Sequence, residues 1–304
     1  MKKCKPRHGL LLSCCLATLL INGGCFSRNA QPPQRPAYFG PTESLAQIAR
    51  KIDQNNQRLS TLWCRFSYDI TLRDPQTRKT DTAFDDDGKL LYRAPAEFRL
   101  LANKTAFGRI LDLGMNDERF WLIATPPKGE DQMWWGDVDA DSPVGSSDIP
   151  VRPESLLQVL AVSTFNADFS TQPAPVLRFN NDTDMYMLVW VQEAQGRFVA
   201  VREVWYDRAT LQPALVLLFD ANGRVVLRAK LSGHQEVPAD ARPGPKIATR
   251  YDIWFPDSGS KMVLTLRELS LTHNDAPNDA SFRFPGFGSV PESKAKRIDG
   301  QEPK

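Results

Sequence analysis

Residues Ala83–Thr125 read AFDDDGKLLYRAPAEFRLLANKTAFGRILDLGMNDERFWLIAT. Apolar residues alternate through this stretch in short runs, each closed by a turn signal, which predicts four short strands in sequence. Asp85-Asp86-Asp87-Gly88 predicts a tight turn, because glycine tolerates positive φ and aspartate bonds its own backbone. Leu90, Leu91 and Tyr92 follow, and Pro95 interrupts the ladder by removing an N–H donor. Phe98, Leu100 and Ala102 fall on one face of the next strand, with Arg99, Leu101 and Asn103 on the other. Asn116-Asp117 marks a further turn before Phe120-Trp121-Leu122-Ile123. Strands this close, joined by turns rather than crossover helices, pair antiparallel. The stretch is a β-meander.

On the N-terminal side, residues 1–25 read as a targeting segment. Lys2, Lys3, Lys5 and Arg7 form a positive n-region, and Leu10–Ile21 is an apolar run too short to span a bilayer. Asn22-Gly23-Gly24-Cys25 places small residues before a cysteine, which resembles the bacterial lipobox and makes Cys25 the expected lipidation site. Ordinary secretion, with Cys25 incidental, is the alternative. Of five cysteines, Cys4, Cys14 and Cys15 would leave with the signal and Cys25 would carry lipid. Only Cys64 is then left, so the mature domain has no internal disulfide. Cys64 itself reads as a small buried apolar residue. Cleavage removes four of the 38 basic residues, leaving 34 Lys and Arg against 36 Asp and Glu. That balance excludes the basic stripe that nucleic-acid binding needs.

Residues 26–41 are rich in proline and polar groups, the composition of an extended tether. Thr42–Leu59 then has helical period: Leu45, Ile48, Ala49, Ile52 and Leu59 make one stripe, and Ser44 with Gln47 resembles a capping box. Asn55 and Asn56 fall where Leu or Ile would continue that stripe, which predicts looser packing there. Leu62–Leu72 alternates cleanly, with Leu62, Cys64, Phe66, Tyr68, Ile70 and Leu72 facing one way and a wet side opposite.

Beyond the meander, 126–150 breaks the pattern. Asp137, Asp139 and Asp141 alternate as calcium ligands do, yet Ser142 stands where a calcium loop has glycine and Asp148 where it has glutamate. A solvated acidic loop without metal is the expectation. Trp134 and Trp135 should project to opposite faces of a strand. Pro153–Ser163 reads as a second short helix, with Pro153 in its first turn and Leu156, Leu157, Val159 and Leu160 as its stripe. Three hairpins follow: Met185–Val191 with Phe198–Tyr206, Ala214–Asp220 with Val225–Leu231 across Asn222-Gly223, and Lys246–Phe255 with Met262–Leu271. About eleven strands and two or three helices thus make one mainly β domain over 42–288, roughly 250 residues, with 289–304 as a polar tail.

The hairpin at Gly88, the strand ending at Pro95, the strand bearing Arg99 and the Asn116-Asp117…Phe120-Trp121 pattern together resemble the LolA/LolB superfamily. So does the closing F-x-F-P segment, Phe282-Arg283-Phe284-Pro285. The resemblance covers 42–288 and implies an unclosed antiparallel β-barrel covered by helices. Members of that superfamily are bacterial carriers and receptors of lipoproteins that hold acyl chains between the concave side of the sheet and the helices. The superfamily has no invariant catalytic residue, so no role carries over to a particular position.

The function this implies is that of a lipid-anchored envelope protein facing the periplasm, with the outer membrane favoured and acyl chains or lipoproteins as cargo. Its candidate lining is the inward set Phe66, Tyr68, Ile70, Phe98, Leu100, Phe120, Leu122, Val225, Leu227, Tyr251 and Ile253. The second reading is an interaction module for another envelope protein, its concavity filled by its own side chains. Catalysis finds no support: His234 and His273 alone survive signal removal, and no nucleophile, zinc or phosphate-loop motif occurs. No cofactor is expected.

Overall fold

The computed structural model describes residues 42–298, apart from 74–77, 79, 106–107, 126–129, 139–151, 166–168, 195, 240–242, 272–276 and 289. The tether, Cys25, Asp139, Asp141 and Asp148 lie outside the described residues. The alternating segments all become strands. In chain order they are β1 (Thr61–Arg73), β2 (Thr80–Arg93), β3 (Glu97–Lys104), β4 (Gly108–Met115), β5 (Arg119–Ala124) and β6 (Gln132–Asp137). Then come β7 (Ala174–Asn180), β8 (Met185–Ala194), β9 (Arg197–Asp207), β10 (Pro213–Phe219) and β11 (Val225–Ser232). The chain closes with the small pair β12 (Gln235–Glu236) and β13 (Lys246–Ile247), then β14 (Arg250–Phe255), β15 (Ser260–Ser270) and β16 (Lys296–Arg297).

Fourteen of these form one unclosed sheet in the order β16-β6-β5-β4-β3-β2-β1-β15-β14-β11-β10-β9-β8-β7. Two meanders, β1–β6 and β7–β15, are thereby joined along β1 and β15, which pair antiparallel from Trp63↔Ser270 to Thr71↔Lys261. Every junction in the sheet is antiparallel except the short parallel contact of β16 with β6. This is the unclosed antiparallel architecture that the sequence implied.

The sheet's inner face carries the core, because alternation turns Phe66, Tyr68, Phe98, Leu100, Leu188, Val204, Leu227 and Leu264 the same way. Two helices cover it. Helix α1 (Leu45–Asn56) starts at Ser44, whose side chain and that of Gln47 complete the expected capping box. Helix α2 (Pro153–Leu160) starts with Pro153 and ends at Ala161, at φ 55°. It touches β4 and β5 on one side and β10 on the other. Those strands are far apart in sheet order, so the sheet curls around α2. No described helix is long and apolar enough to cross a membrane.

On β1 the outer side is wet as expected, with Arg65 and Asp69 exposed, but the outer face is dry around β4. The carboxylate of Asp112 is fully buried there and accepts from Arg99 Nε and Nη2 at 3.0 and 2.8 Å, Arg109 Nη1 at 2.9 Å and Trp121 Nε1 at 3.1 Å. The C-terminal segment is drawn over this face. Arg99 Nη1 donates to Ser281 O at 2.9 Å, and Asn116 Nδ2 to Phe282 O at 3.2 Å. Phe282 packs on Trp63 and Leu91, and Phe284 on Trp121 and Trp135. Arg99, part of the family-like pattern, thus serves the outer face.

Three local expectations change. Asp85–Gly88 is not a turn but a bulge inside β2, between the pairs Phe66↔Gly88 and Tyr68↔Asp85. Gly88 is there for room: a Cβ would lie 2.4 Å from the Phe66 ring. The segment expected as a polar tail also folds, at least as far as residue 298. Val290 is buried, β16 caps the edge of β6, and Arg297 pairs with Asp137 at 2.6 Å. Covering an edge strand in this way removes unpaired backbone groups that would otherwise invite aggregation. Asp137 is therefore an ion-pair partner and not a freely solvated loop residue.

Candidate functional site

Helix α1 lies on the inner face through few apolar side chains. Ile48, Ala49 and Ile52 are buried beneath it, Leu45 packs partly against the core, and hydrogen bonds supply further attachment. Tyr186 Oη accepts from the Glu43 N–H at 3.0 Å, and the Phe165 N–H donates to Asp53 Oδ1 at 2.7 Å. Asn56 is 6 % exposed and donates to the carbonyls of Ala161 at 3.3 Å and Ser163 at 2.9 Å. Asn55 bonds the main chain of Lys246 in both directions. The two asparagines expected to loosen the helix are its fasteners.

Beside α1 a cavity of about 410 Å³ opens between the helix, the C-terminal end of α2, the β9–β10 connection and the β12–β13 pair. Its volume falls within the range of small-molecule pockets, at the low end. Ile52, Leu160, Val162, Tyr206, Leu211 and Ile247 supply apolar wall, and Glu43, Lys51, Arg58, Glu236 and Lys246 supply charge. Lys51 pairs with Glu43 at 2.6 Å, and Arg58 Nη1 donates to Pro243 O at 3.2 Å. Gln212 Oε1, on a residue of the same lining, is buried with no hydrogen-bond partner.

Burial shapes the electrostatics of this wall. It pushes the Tyr206 phenol up to about 12, with Arg202 opposing and Asp53 adding to the shift. The Asp53 carboxyl is also raised, chiefly by burial and against its bond from the Phe165 N–H. His234, whose Nε2 lies 2.9 Å from Pro213 O, is held below its ordinary value by burial first. Among the described residues no group of three or more His, Cys, Asp and Glu could hold a metal ion.

The expected lining lies elsewhere. Phe66, Tyr68, Ile70, Phe98, Leu100, Phe120, Leu122, Leu227, Tyr251 and Ile253 are each at most 5 % exposed and belong to one continuous core. Val225 does not join them. A register shift between Leu218 and Phe219 opposes Leu227 and then Val225, and it is Val226 that packs against the core. Tyr68 Oη donates to Asn103 O at 2.6 Å and Tyr251 Oη to Ala248 O at 3.0 Å, so both polar ends are satisfied. None of the eleven expected residues borders the 410 Å³ cavity. Cys64 is fully buried, and its thiol is pushed up by that burial.

The comparisons with known proteins follow the architecture. Solved structures of LolA-like proteins resemble this chain. A LolA superfamily protein from Nitrosomonas europaea overlays with a TM-score of 0.48 at 14 % identity, covering 80 % of this chain and 99 % of that one. A proposed outer membrane lipoprotein-sorting protein domain from Vibrio parahaemolyticus gives 0.48 at 12 %, covering 78 % and 95 %. A DUF1329 family protein from Desulfovibrio piger gives 0.43 at 14 %, covering 78 % and 95 %. No family model and no curated protein matches the sequence. At TM-scores of 0.48 and less the likeness brings neither ligand nor partner to this chain.

The cavity residues carried weak signals in the sequence. Lys51 falls on the polar side of the α1 stripe, and Lys246 at an ordinary strand position. Arg202-Glu203, which do not border the cavity, carried a stronger signal, since adjacent charges inside a strand oblige one of them to face inward.

Proposed function

We propose that this chain is a non-catalytic cell-envelope protein that takes an acyl chain, free or carried by a lipoprotein, between α1 and the inner face of the sheet. The observation that carries this reading is the way α1 is held. It lies over a continuous apolar wall, yet contributes only Ile48, Ala49 and Ile52 as buried apolar side chains and Leu45 as a partly buried one, and a cavity already runs along its edge.

Magnitudes set a length threshold for displacement. Burying an Ile side chain is worth about 1.5–3 kcal/mol, so lifting α1 forgoes roughly 4–6 kcal/mol of apolar burial. Its side-chain hydrogen bonds are worth about 1 kcal/mol each net, because water replaces them. An acyl chain of about fourteen carbons, at about 0.8 kcal/mol per buried CH₂, returns about 11 kcal/mol. The six side-chain hydrogen bonds named above add roughly 6 kcal/mol to the cost, which then about equals the return, so the helix stays closed against a short chain and yields only to one at least this long.

Acylated Cys25 would hold the protein at the membrane, with 26–41 as the tether and the domain in the periplasm. A fluorescent long-chain fatty acid titrated into the full chain tests the binding reading, with saturable micromolar binding expected and no binding contradicting it. The second reading, an interaction module with a filled interior, is favoured by the close packing of the ten core residues that the sequence assigned to the ligand wall.

A further inference from the structure

Strand β9 places Arg202 on the inner face with Val204 and Tyr206, opposite Trp190 of β8. The guanidinium carbon lies 4.7 Å from the centroid of the Trp190 ring, and Phe165 packs against that ring at 5.5 Å. Nε of Arg202 is buried without a hydrogen-bond partner, and no ion pair reaches the residue among the described residues. Two other arginines with largely covered side chains are matched: Arg208 by Asp184 at 3.1 Å and Arg99 by Asp112 at 2.8 Å. The carboxylate of Asp53, which also acts on Tyr206, is engaged instead by the Phe165 N–H.

Arg202 is half-buried: its Nε–H is shut away from water without a partner, and stacking on tryptophan offsets only part of the cost of a charge held there without a counter-charge. Such a group is a candidate binding site. Guanidinium geometry suits one class of ligand in particular. Its fork of N–H donors matches a carboxylate or a phosphate with two parallel hydrogen bonds.

We propose that Arg202 receives the anionic group of an amphiphile, a carboxylate or a phosphate, while Trp190 and Phe165 pack on the first carbons of its chain. This rests on the acyl-binding reading of the same inner face and names the head group that reading leaves open. Tyr206 links the two places, because it lines the cavity beside α1 and its hydroxyl lies within electrostatic reach of Arg202. The chain then runs from Arg202 past Tyr206 and under α1.

The test uses the full chain and three probes of equal chain length: a polyene fatty acid whose fluorescence rises on leaving water, the matching alcohol, and the matching alkyl phosphate. The acid, the phosphate or both should bind about tenfold or more tighter than the alcohol, and which of them does identifies the head group. Arg202→Met should bring the charged probes to the alcohol's affinity and leave the alcohol unchanged, and Arg202→Lys should restore part of the difference. Without ligand, Arg202→Met should melt no lower than the parent protein, since it removes a buried Nε–H that has no partner. Equal affinity for all three probes, or equal weakening of all three by Arg202→Met, overturns the proposal. If no probe binds at all, the acyl reading fails by itself. Inorganic phosphate then decides the anion site: a melting rise at millimolar phosphate that Arg202→Met abolishes upholds it, and no rise overturns it.

Discussion

The carboxamide of Asn55 and the main chain of Lys246 exchange two hydrogen bonds, Nδ2 donating to the Lys246 carbonyl at 2.9 Å and the Lys246 N–H donating to Oδ1 at 2.7 Å. The amide side chain imitates a strand neighbour and clips α1 to β13. Asn56 beside it bonds Ala161 and Ser163, so the end of α1 is tied to the end of α2 as well.

Helical periodicity alone would place Leu at position 56. The hydrogen bonds predict the reverse of the gain it suggests. Asn56→Leu and Asn56→Ala should each lose about 1–3 kcal/mol, because the carbonyls of Ala161 and Ser163 lose their donor inside the fold. Urea denaturation of both variants measures this. A stabilised Asn56→Leu would show that the bonds contribute nothing.

Gly114 is a second place where the expected sign reverses. Opposite it stands Trp121, and a Cβ at Gly114 would lie 2.3 Å from that ring. The ring has little freedom to move, since its Nε1 donates to Asp112 and Arg99 lies over it at 5.7 Å. Replacing glycine by alanine in an unstrained strand ordinarily stabilises a little. Gly114→Ala should instead cost about 1–3 kcal/mol by overpacking. An unchanged melting temperature would contradict the packing described for the outer face.

His234 predicts a pH dependence. Burial holds its ring below the ordinary value of 6.5, with Lys246 acting the same way and with the Pro213 carbonyl and Asp207 opposing. Below pH 6.5 the unfolded chain takes up a proton that the folded chain resists. The stability tied to a neutral His234 is therefore present above 6.5 and is lost as the pH falls toward the folded value. Melting temperatures from pH 8 to pH 5 should fall less steeply for His234→Gln than for the parent protein. Parallel curves would remove His234 from the account.

Cys25→Ser should move the protein from the membrane fraction to the soluble one, and intact mass of the parent protein should carry an acyl adduct. A variant that stays with the membrane, beside a parent without adduct, would contradict the lipid-anchor reading.

Much of the fold was legible because alternation dictates faces. Phe98, Leu100 and Ala102 are buried as their spacing required, and Asn222-Gly223 does turn β10 into β11, with Gly223 at φ 76°. What stayed hidden depends on partners distant in sequence. Gly88 looked like a turn residue, but its reason is the Phe66 ring on the neighbouring strand. Asn55 and Asn56 looked like gaps in a stripe until the carbonyls of residues 161, 163 and 246 arrived beside them. Strand β7 carries little signal because Pro173 and Pro175 stand at its start, and β16 because Lys296 and Arg297 lie in a polar stretch. The candidate lining was chosen by face alone. Face assignment finds the core, and it does not say which part of the core opens.

Fatty-acid binding read together with hydrogen exchange of α1 tests the central claim most directly. A chain of about fourteen carbons added to the full protein should bind at micromolar concentration or below, and the amides of Ile48–Asn56 should exchange faster in the complex as the helix lifts from the wall. Asn56→Ala, which loosens the same helix, should bind the chain more tightly. A folded protein that takes up no acyl chain, with α1 equally protected in its presence and absence, would contradict the account and leave the filled interaction module in its place.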